Sequence, residues 1–214
     1  MKIVLLVLIA IISYFLGSLN GPVLVSRYVL KQDVRRTGTW NPLYSAFMDT
    51  YGAKGLAMLA GFDIIKSIIA VLLGGLLLSA VGETAMGRLF AAFCLLLGHA
   101  FPFLYLFKGG KGLLCAGTML FFIDWRVALC CWAAFALVLI FTKYFALAGS
   151  VAAILAPIFM WIFKSSALEG AIALFCALII VIKYSENIVR ILGGTEPQLA
   201  AKRGSASGPA DDEY

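Results

Sequence analysis

The chain has 214 residues, 63% of them hydrophobic and only 13% charged, with a formal net charge of +6. A soluble domain carries about 45–50% apolar and about 25% charged residues, so the composition excludes an ordinary water-soluble globule. It predicts an all-α polytopic membrane protein: a single domain over residues 1–199 whose core is shared with lipid. The lysines and arginines fall between apolar runs rather than in one basic stripe. That argues against a nucleic-acid partner and suits anionic headgroups or phosphorylated small molecules.

In chain order, Lys2 is followed by a run with only Ser13 and Tyr14 as mildly polar members, and no small-residue cleavage pattern comes after it. This reads as a retained first transmembrane helix over 2–26 rather than a signal peptide. Residues 27–55 form the longest polar stretch before the tail, with a turn at Gly38-Thr39-Trp40-Asn41-Pro42 and with Trp40, Tyr44 and Tyr51 at the interface. A second span covers 56–80 and contains Asp63 and Lys66, which share one helix face. Such a pair reads either as a functional site inside the membrane or as a structural ion pair near a helix end. The third span is 87–107, the fourth a short one over 112–125, the fifth 127–141, the sixth 147–163 with Pro157 placed to kink it, and the seventh 168–182. With seven spans, twelve of the seventeen Lys and Arg residues fall on one side, which the positive-inside rule makes cytoplasmic, C-terminus included. Residues 200–214 read as a disordered tail.

The five cysteines lie in apolar runs without C-x-x-C spacing, and there is one histidine, so no metal site and no cofactor are expected. Chemistry is concentrated instead in Phe107-Lys108-Gly109-Gly110-Lys111-Gly112. Glycines let backbone N–H groups converge on an anion, a helix starting after Gly112 aims its positive end there, and two lysines add charge suited to phosphate. The motif reads either as a phosphate cradle or as a tight turn with snorkelling lysines. Further on, Asn187 and Arg190 have helical spacing, as a second cluster or as an ordinary interfacial helix end.

Taken together, Gly17-Ser18, Gly38-x-x-Asn41-Pro42, Asp63-x-x-Lys66, Gly98-His99-x-x-Pro102, the Phe-Lys-Gly-Gly-Lys-Gly element, Ala156-Pro157 and Asn187-Ile188-x-Arg190 with Thr195-Glu196 occur in one order. In this they resemble the bacterial acyl-phosphate:glycerol-3-phosphate acyltransferase family (PlsY type), over about residues 8–199. The resemblance implies a seven-helix enzyme of the bacterial plasma membrane. It would move a fatty acyl group from acyl phosphate to the 1-hydroxyl of glycerol 3-phosphate, giving lysophosphatidic acid for phospholipid biosynthesis, with no cofactor. It also implies Lys111, Asn187 and Asn41 in the chemistry. Phosphate would be held by Ser18, Arg36, Lys66, Lys108, Gly109, Gly110, Gly112 and Arg190, with Asp63, His99 and Glu196 in support. The expected partners are phosphorylated small molecules and lipid.

The chain departs from that pattern in places. Where the family's loop resembles Gly-Ser-Gly-Asn-Pro-Gly-Ala-Thr-Asn followed by Arg, this one has Trp40, Leu43, Tyr44 and Ala46, with Asp49 at the Arg position. Leu113-Leu114-Cys115 replaces Val-Ala-Thr, Ala146 replaces a loop serine, and Tyr184 stands at a histidine position. Each change removes a polar contact or inverts a charge. They leave an alternative open: a weakened or repurposed relative that binds a phosphorylated lipid or a partner.

Overall fold

Every element among the described residues is a helix. The computed structural model describes residues 1–29, 31, 44–164, 166–196 and 198, with 44–46 and 48–50 described by their backbone alone. Arg36, Trp40, Asn41, Leu43 and the expected tail at 200–214 lie outside the described residues, as do the side chains of Tyr44, Ala46 and Asp49.

The first span is not continuous to residue 26. α1 (Lys2–Ser18) stops at Leu19, and Asn20 caps a new short helix, α2 (Gly21–Leu24), its side chain accepting from the Val23 N–H at 3.3 Å. Pro22 falls in the first turn of α2, where its missing N–H leaves nothing unpaired. A π turn, Val25–Val29, follows, and the two pieces are bent by 54°. The polar stretch 27–55 is only partly loop, because α3 (Tyr44–Ser79) begins at Tyr44 and turns a corner at Gly52, where φ is +67°. Only glycine adopts such a φ without strain, so a helical piece precedes the span proper, which is counted from Tyr51.

α4 (Thr84–Ala100) ends short of the expected 107, since Phe101-Pro102 cannot continue a helix. A 3-10 turn, Phe103–Tyr105, leads into the glycine loop. α5 (Leu113–Ile123), α6 (Trp125–Thr142) and α7 (Phe145–Lys164, with Pro157 inside it) follow. α8 (Ala167–Leu192) runs past the expected end at 182, so Lys183, Tyr184, Asn187 and Arg190 all stand on a helix. Among the described residues, five helices are long and apolar enough to cross a membrane, six if the bent first pair counts as one. α5, with 11 residues, is about 16 Å long against about 30 Å of hydrocarbon. This is a multi-pass membrane protein.

α4 is its centre: 61% of that span is buried inside the bundle, against 22% for α6, which faces outward. Small residues bring the other helices onto α4. A Cβ at Gly17 would stand 2.1 Å from the Leu95 carbonyl oxygen, and one at Gly98 2.1 Å from that of Tyr14, so α1 and α4 touch backbone to backbone. Gly74 and Gly87 do the same for α3 and α4, the close approach by which helices associate in lipid. Tyr14 Oη donates to the Phe101 carbonyl at 2.8 Å. At the opposite end Lys2 pairs with Glu83 at 2.7 Å, and Arg88 donates to the Phe122 carbonyl at 2.9 Å. Alternation of the helices therefore collects the ends of α1, α4 and α8 and the start of α5 at one end of the bundle, where the polar motifs lie.

Candidate active site at one end of the bundle

The loop before α5 is built on the end of α4. Phe107 N–H donates to the Pro102 carbonyl at 3.0 Å, Lys108 N–H to that of Tyr105 at 3.0 Å, and Gly110 N–H to that of His99 at 3.0 Å. A Cβ at Gly109 would lie 2.1 Å from the His99 carbonyl oxygen, and one at Gly110 2.3 Å from His99 Nε2. The two glycines are thus required by contact with His99, and one of their N–H groups is already spent there. This narrows the anion nest expected from the motif. Gly112, at φ +72°, turns the chain into α5, whose first N–H groups receive no side-chain cap and make that helix end electropositive. Lys108 is exposed, while Lys111 is half-buried and its ammonium reaches Asn187 on α8.

Lys111 heads a connected network. Its ammonium donates to Asn187 Oδ1, Asn187 Nδ2 donates to Glu196 Oε1 at 2.6 Å, and Arg190 Nε donates to Glu196 Oε2 at 2.8 Å. Glu196 is brought back over α8 by the turn after Leu192, in which the Thr195 and Glu196 N–H groups both donate to the Arg190 carbonyl. The amide orientation of Asn187 follows from its neighbours, because a lysine can only donate and a carboxylate can only accept. The Tyr184 ring lies 4.5 Å beneath the Lys111 ammonium. Burial lowers the Lys111 pKa to about 8, with Arg190 acting in the same direction and Glu196 and Glu186 opposing. Burial raises Glu196, but the hydrogen bonds from Arg190 and Asn187 outweigh it and hold the carboxyl below its ordinary value.

A second cluster lies on the far side of the glycine loop. Lys66 Nζ is 2.7 Å from Asp63 Oδ1, 3.0 Å from His99 Nδ1 and 3.1 Å from the Leu19 carbonyl oxygen, and both members of the ion pair are 3% exposed. Ser18, at 0% exposure, is close by, and its Oγ finds no hydrogen-bond partner among the described residues. Cys115 Sγ stands 3.9 Å from His99 Nδ1. Asp63, His99 and Cys115 offer one ligand atom each, all within 4.8 Å of one another. They are donor types suited to zinc, but the Lys66 ammonium already stands between Asp63 and His99. Sequence spacing does not reveal this group, since its members come from three different helices.

Beneath the Lys111 turn an apolar cavity of about 70 Å³ extends between α4, α5, α6, α7 and α8. Leu96 and Leu113 belong both to its wall and to the surroundings of the Gly112 and Gly149 backbones. Its width comes from alanines, Ala152, Ala153 and Ala156 on α7 and Ala173 and Ala177 on α8, with the Trp132 indole across Gly117 on the facing side. A cationic, hydrogen-bonding head thus adjoins an apolar slot.

Of the residues expected from the sequence, Lys111, Asn187, Arg190 and Glu196 come together in one cluster. Asp63, Lys66 and His99 form another with Ser18 beside it, and the glycine loop lies between the two. Arg36 and Asn41 fall outside the described residues. Tyr184 and Cys115, two positions where the sequence departs from the family pattern, prove to be site neighbours, Tyr184 under Lys111 and Cys115 beside His99.

Residues 7–194 match the family model described as glycerol-3-phosphate acyltransferase. The glycerol-3-phosphate acyltransferase of Clostridioides difficile (strain 630) is 31% identical over 204 residues, covering 95% of this chain and 100% of its own. That of Pseudoalteromonas translucida (strain TAC 125) is 33% identical over 207 residues, covering 95% and 98%. The crystal structure of PlsY (YgiH), an integral membrane glycerol 3-phosphate acyltransferase, in its glycerol 3-phosphate form superposes with a TM-score of 0.77 at 25% identity, covering 90% of this chain and 94% of that one. Its lysophosphatidic acid form gives 0.76. The chain is a member of the glycerol-3-phosphate acyltransferase family.

Proposed function

We propose that this protein transfers a fatty acyl group from acyl phosphate to the 1-hydroxyl of glycerol 3-phosphate, releasing lysophosphatidic acid and inorganic phosphate. The observation that carries the reading is the Lys111–Asn187–Glu196–Arg190 network, which adjoins the uncapped start of α5 at the top of an apolar slot. Such a place suits a molecule with a phosphorylated head and a hydrocarbon tail. The related PlsY has a glycerol 3-phosphate form, which supplies the head alone, and a lysophosphatidic acid form, which supplies head and tail.

The acceptor hydroxyl oxygen attacks the acyl carbonyl carbon, the carbon–oxygen bond to phosphate breaks, and the hydroxyl proton passes to a phosphate oxygen of the substrate. The mixed anhydride is already activated, so the protein's part is to position the reactants and stabilise charge. Lys111, with Asn187 orienting it, binds the phosphoryl oxygens together with the first N–H groups of α5. Arg190 carries the second cationic contact, and Glu196 holds Arg190 and Asn187 in register. Gly112 lets the chain pass close to the head group, while Ser18, Arg36, Asn41 and Lys108 remain candidates for the acceptor phosphate. The alanine-walled slot takes the acyl chain.

The seven-crossing topology, with the site and the C-terminus on the cytoplasmic side, rests on the charge bias of the loops. Cysteines placed singly by Trp40→Cys and Ser205→Cys in a cysteine-free background are expected to label from the same side. For the activity, purified protein given radiolabelled glycerol 3-phosphate and palmitoyl phosphate is expected to form lysophosphatidic acid. Absence of product together with absence of acyl-phosphate binding would leave the repurposed relative as the better reading.

A further inference from the structure

The chain's single histidine sits between the two polar clusters, and its hydrogen bonds determine where its proton lies. An ammonium has three N–H donors and no acceptor. Lys66 hydrogen-bonds to the Leu19 carbonyl at 3.1 Å and to His99 Nδ1 at 3.0 Å, and its charge pairs with Asp63 Oδ1 at 2.7 Å. His99 Nδ1 must therefore accept, and the neutral imidazole carries its hydrogen on Nε2. The other groups around the ring do not alter this. Cys115 on α5 offers only a thiol 3.9 Å from Nδ1, and Lys183 on α8 lies over the Phe101 ring at 4.4 Å rather than against the imidazole.

The Nε2 edge faces the glycine loop. An added Cβ at Gly110 would be 2.3 Å from Nε2, and one at Gly112 3.5 Å from Cδ2. Between this edge and the break after α1 is a small cavity of about 10 Å³, onto which Ser18, Asn20, His99 and Gly110 open along with Pro22 and Pro102. That volume is close to what one water requires, and the fully buried Ser18 Oγ borders it without a partner among the described residues. A water of that size would meet the Nε2–H donor, Ser18 Oγ and the loop backbone.

We propose that Asp63 and Lys66 fix His99 in its Nε2–H tautomer, and that this N–H holds the Gly109-Gly110 turn in the shape that receives phosphate. His99 is then a positioning residue that acts through the loop. What the loop receives rests on the acyltransferase reading; the tautomer does not.

A lone histidine makes the test direct, because ¹⁵N-histidine labelling of the full chain in detergent yields one imidazole whose two nitrogen shifts report the tautomer. A single neutral Nε2–H form at pH 7 is expected, whereas an Nδ1–H form or an imidazolium overturns the proposal. Lys66→Met alone removes the cation paired with the buried Asp63 carboxylate and carries a risk of misfolding, so the paired variant Asp63→Asn with Lys66→Met is the working one. Its imidazole is expected to become a mixture of tautomers, and its dissociation constant for inorganic phosphate to rise about tenfold, the loss of one hydrogen bond to a charged group. Unchanged shifts and unchanged affinity overturn the proposal. His99→Asn removes the Nε2-side donor and is expected to show the same loss, while His99→Gln restores a donor at that end and most of the affinity. Equal behaviour of the two indicates mere packing and overturns the positioning role. If the wild type has the tautomer but binds phosphate no better than Lys111→Ala, the acyltransferase reading fails and takes the loop half with it, while the tautomer half is upheld.

Discussion

Two lysines lie on opposite sides of one glycine loop, and their surroundings differ in a way that separates structural from chemical work. Lys66 is 3% exposed and is held by two hydrogen bonds, to the Leu19 carbonyl and His99 Nδ1, and by an ion pair with Asp63. Lys111 is half-buried, and among the described residues a single hydrogen bond, to Asn187, occupies it. The charge on Lys66 is neutralised by Asp63 at 2.7 Å. Lys111 instead has, among the described residues, a ring face and a network that leads through Asn187 to a carboxylate already engaged by Arg190. A saturated ammonium organises its surroundings, whereas one with donors to spare is available to a ligand.

The largest expected effect breaks the saturated side. Lys66→Met takes the cation away from the buried Asp63 carboxylate, and removing one partner of a buried pair costs about 3–5 kcal/mol. Cys94, Cys115 and Cys131 are buried, so a thiol-reactive dye reports unfolding as they become accessible. The single variant is expected to unfold at a clearly lower temperature than the neutral pair Asp63→Asn with Lys66→Met, which leaves no uncompensated charge. Equal loss in both variants would show that the ion pair itself, rather than the buried charge left by removing Lys66, carries the stability.

On the unsaturated side the order reverses, with activity lost and stability kept. Lys111→Ala removes a hydrogen bond to a charged group, worth about 1.5–3 kcal/mol, so phosphate affinity should fall roughly ten- to a hundredfold. The melting temperature should stay close to that of the wild type. A variant that unfolds, or one that keeps full affinity, returns Lys111 to the role of a snorkelling turn residue.

The contrast between the lysines was half visible in the sequence. Periodicity located every long apolar helix, because a span is a local property of about twenty residues. It misjudged the breaks. The end of α1 depends on Asn20 capping a new turn, and the early start of α3 on a corner at Gly52, neither of which disturbs hydropathy. Asp63 and Lys66 were legible as a pair through their spacing, yet His99 as their third partner was not, since it arrives from α4 by packing at Gly17 and Gly98. The glycine motif was rightly singled out, but part of the reason for its glycines is steric contact with His99, which only the fold shows. Tyr184, a departure from the family pattern, became intelligible once its ring was seen under Lys111.

Titration sharpens the comparison at intermediate magnitude. Burial brings the folded Lys111 pKa down to about 8, so phosphate binding, which needs the ammonium, should be full below pH 8. Above it, affinity should weaken by up to tenfold per pH unit as the amine deprotonates. Stability should respond the other way. Between pH 8 and the ordinary lysine value the unfolded chain holds the proton that the folded one has released, so this group's contribution to stability rises with pH. Lys111→Arg should flatten the decline in binding, because a guanidinium stays charged throughout. A decline that survives in Lys111→Arg belongs to another group.

The smallest effect tests what replaces a counter-anion at Lys111. The Tyr184 ring, 3% exposed and 4.5 Å from the ammonium, stabilises the cation through its π face without competing for the anion that Lys111 is to bind. A carboxylate there would stabilise the charge more strongly but would also occupy the site. Tyr184→Phe retains the face and should leave both phosphate affinity and the pH midpoint nearly unchanged. Tyr184→Leu removes it; a cation–π contact is worth about 0.5–1 kcal/mol at exposed sites and about 2 when desolvated. The expected outcome is a two- to fivefold weaker phosphate affinity at pH 7, on the order of the lower figure, with the pH midpoint displaced below 8 because the ammonium has lost a stabilising neighbour. Tyr184→His separates face from charge: below the histidine pKa a second cation repels Lys111, and above it an aromatic ring is again present, so affinity should improve as pH rises from 6 to 7. If Tyr184→Leu and Tyr184→Phe titrate alike, the ring only fills space beneath Lys111, and the network through Asn187 and Glu196 alone holds the charge.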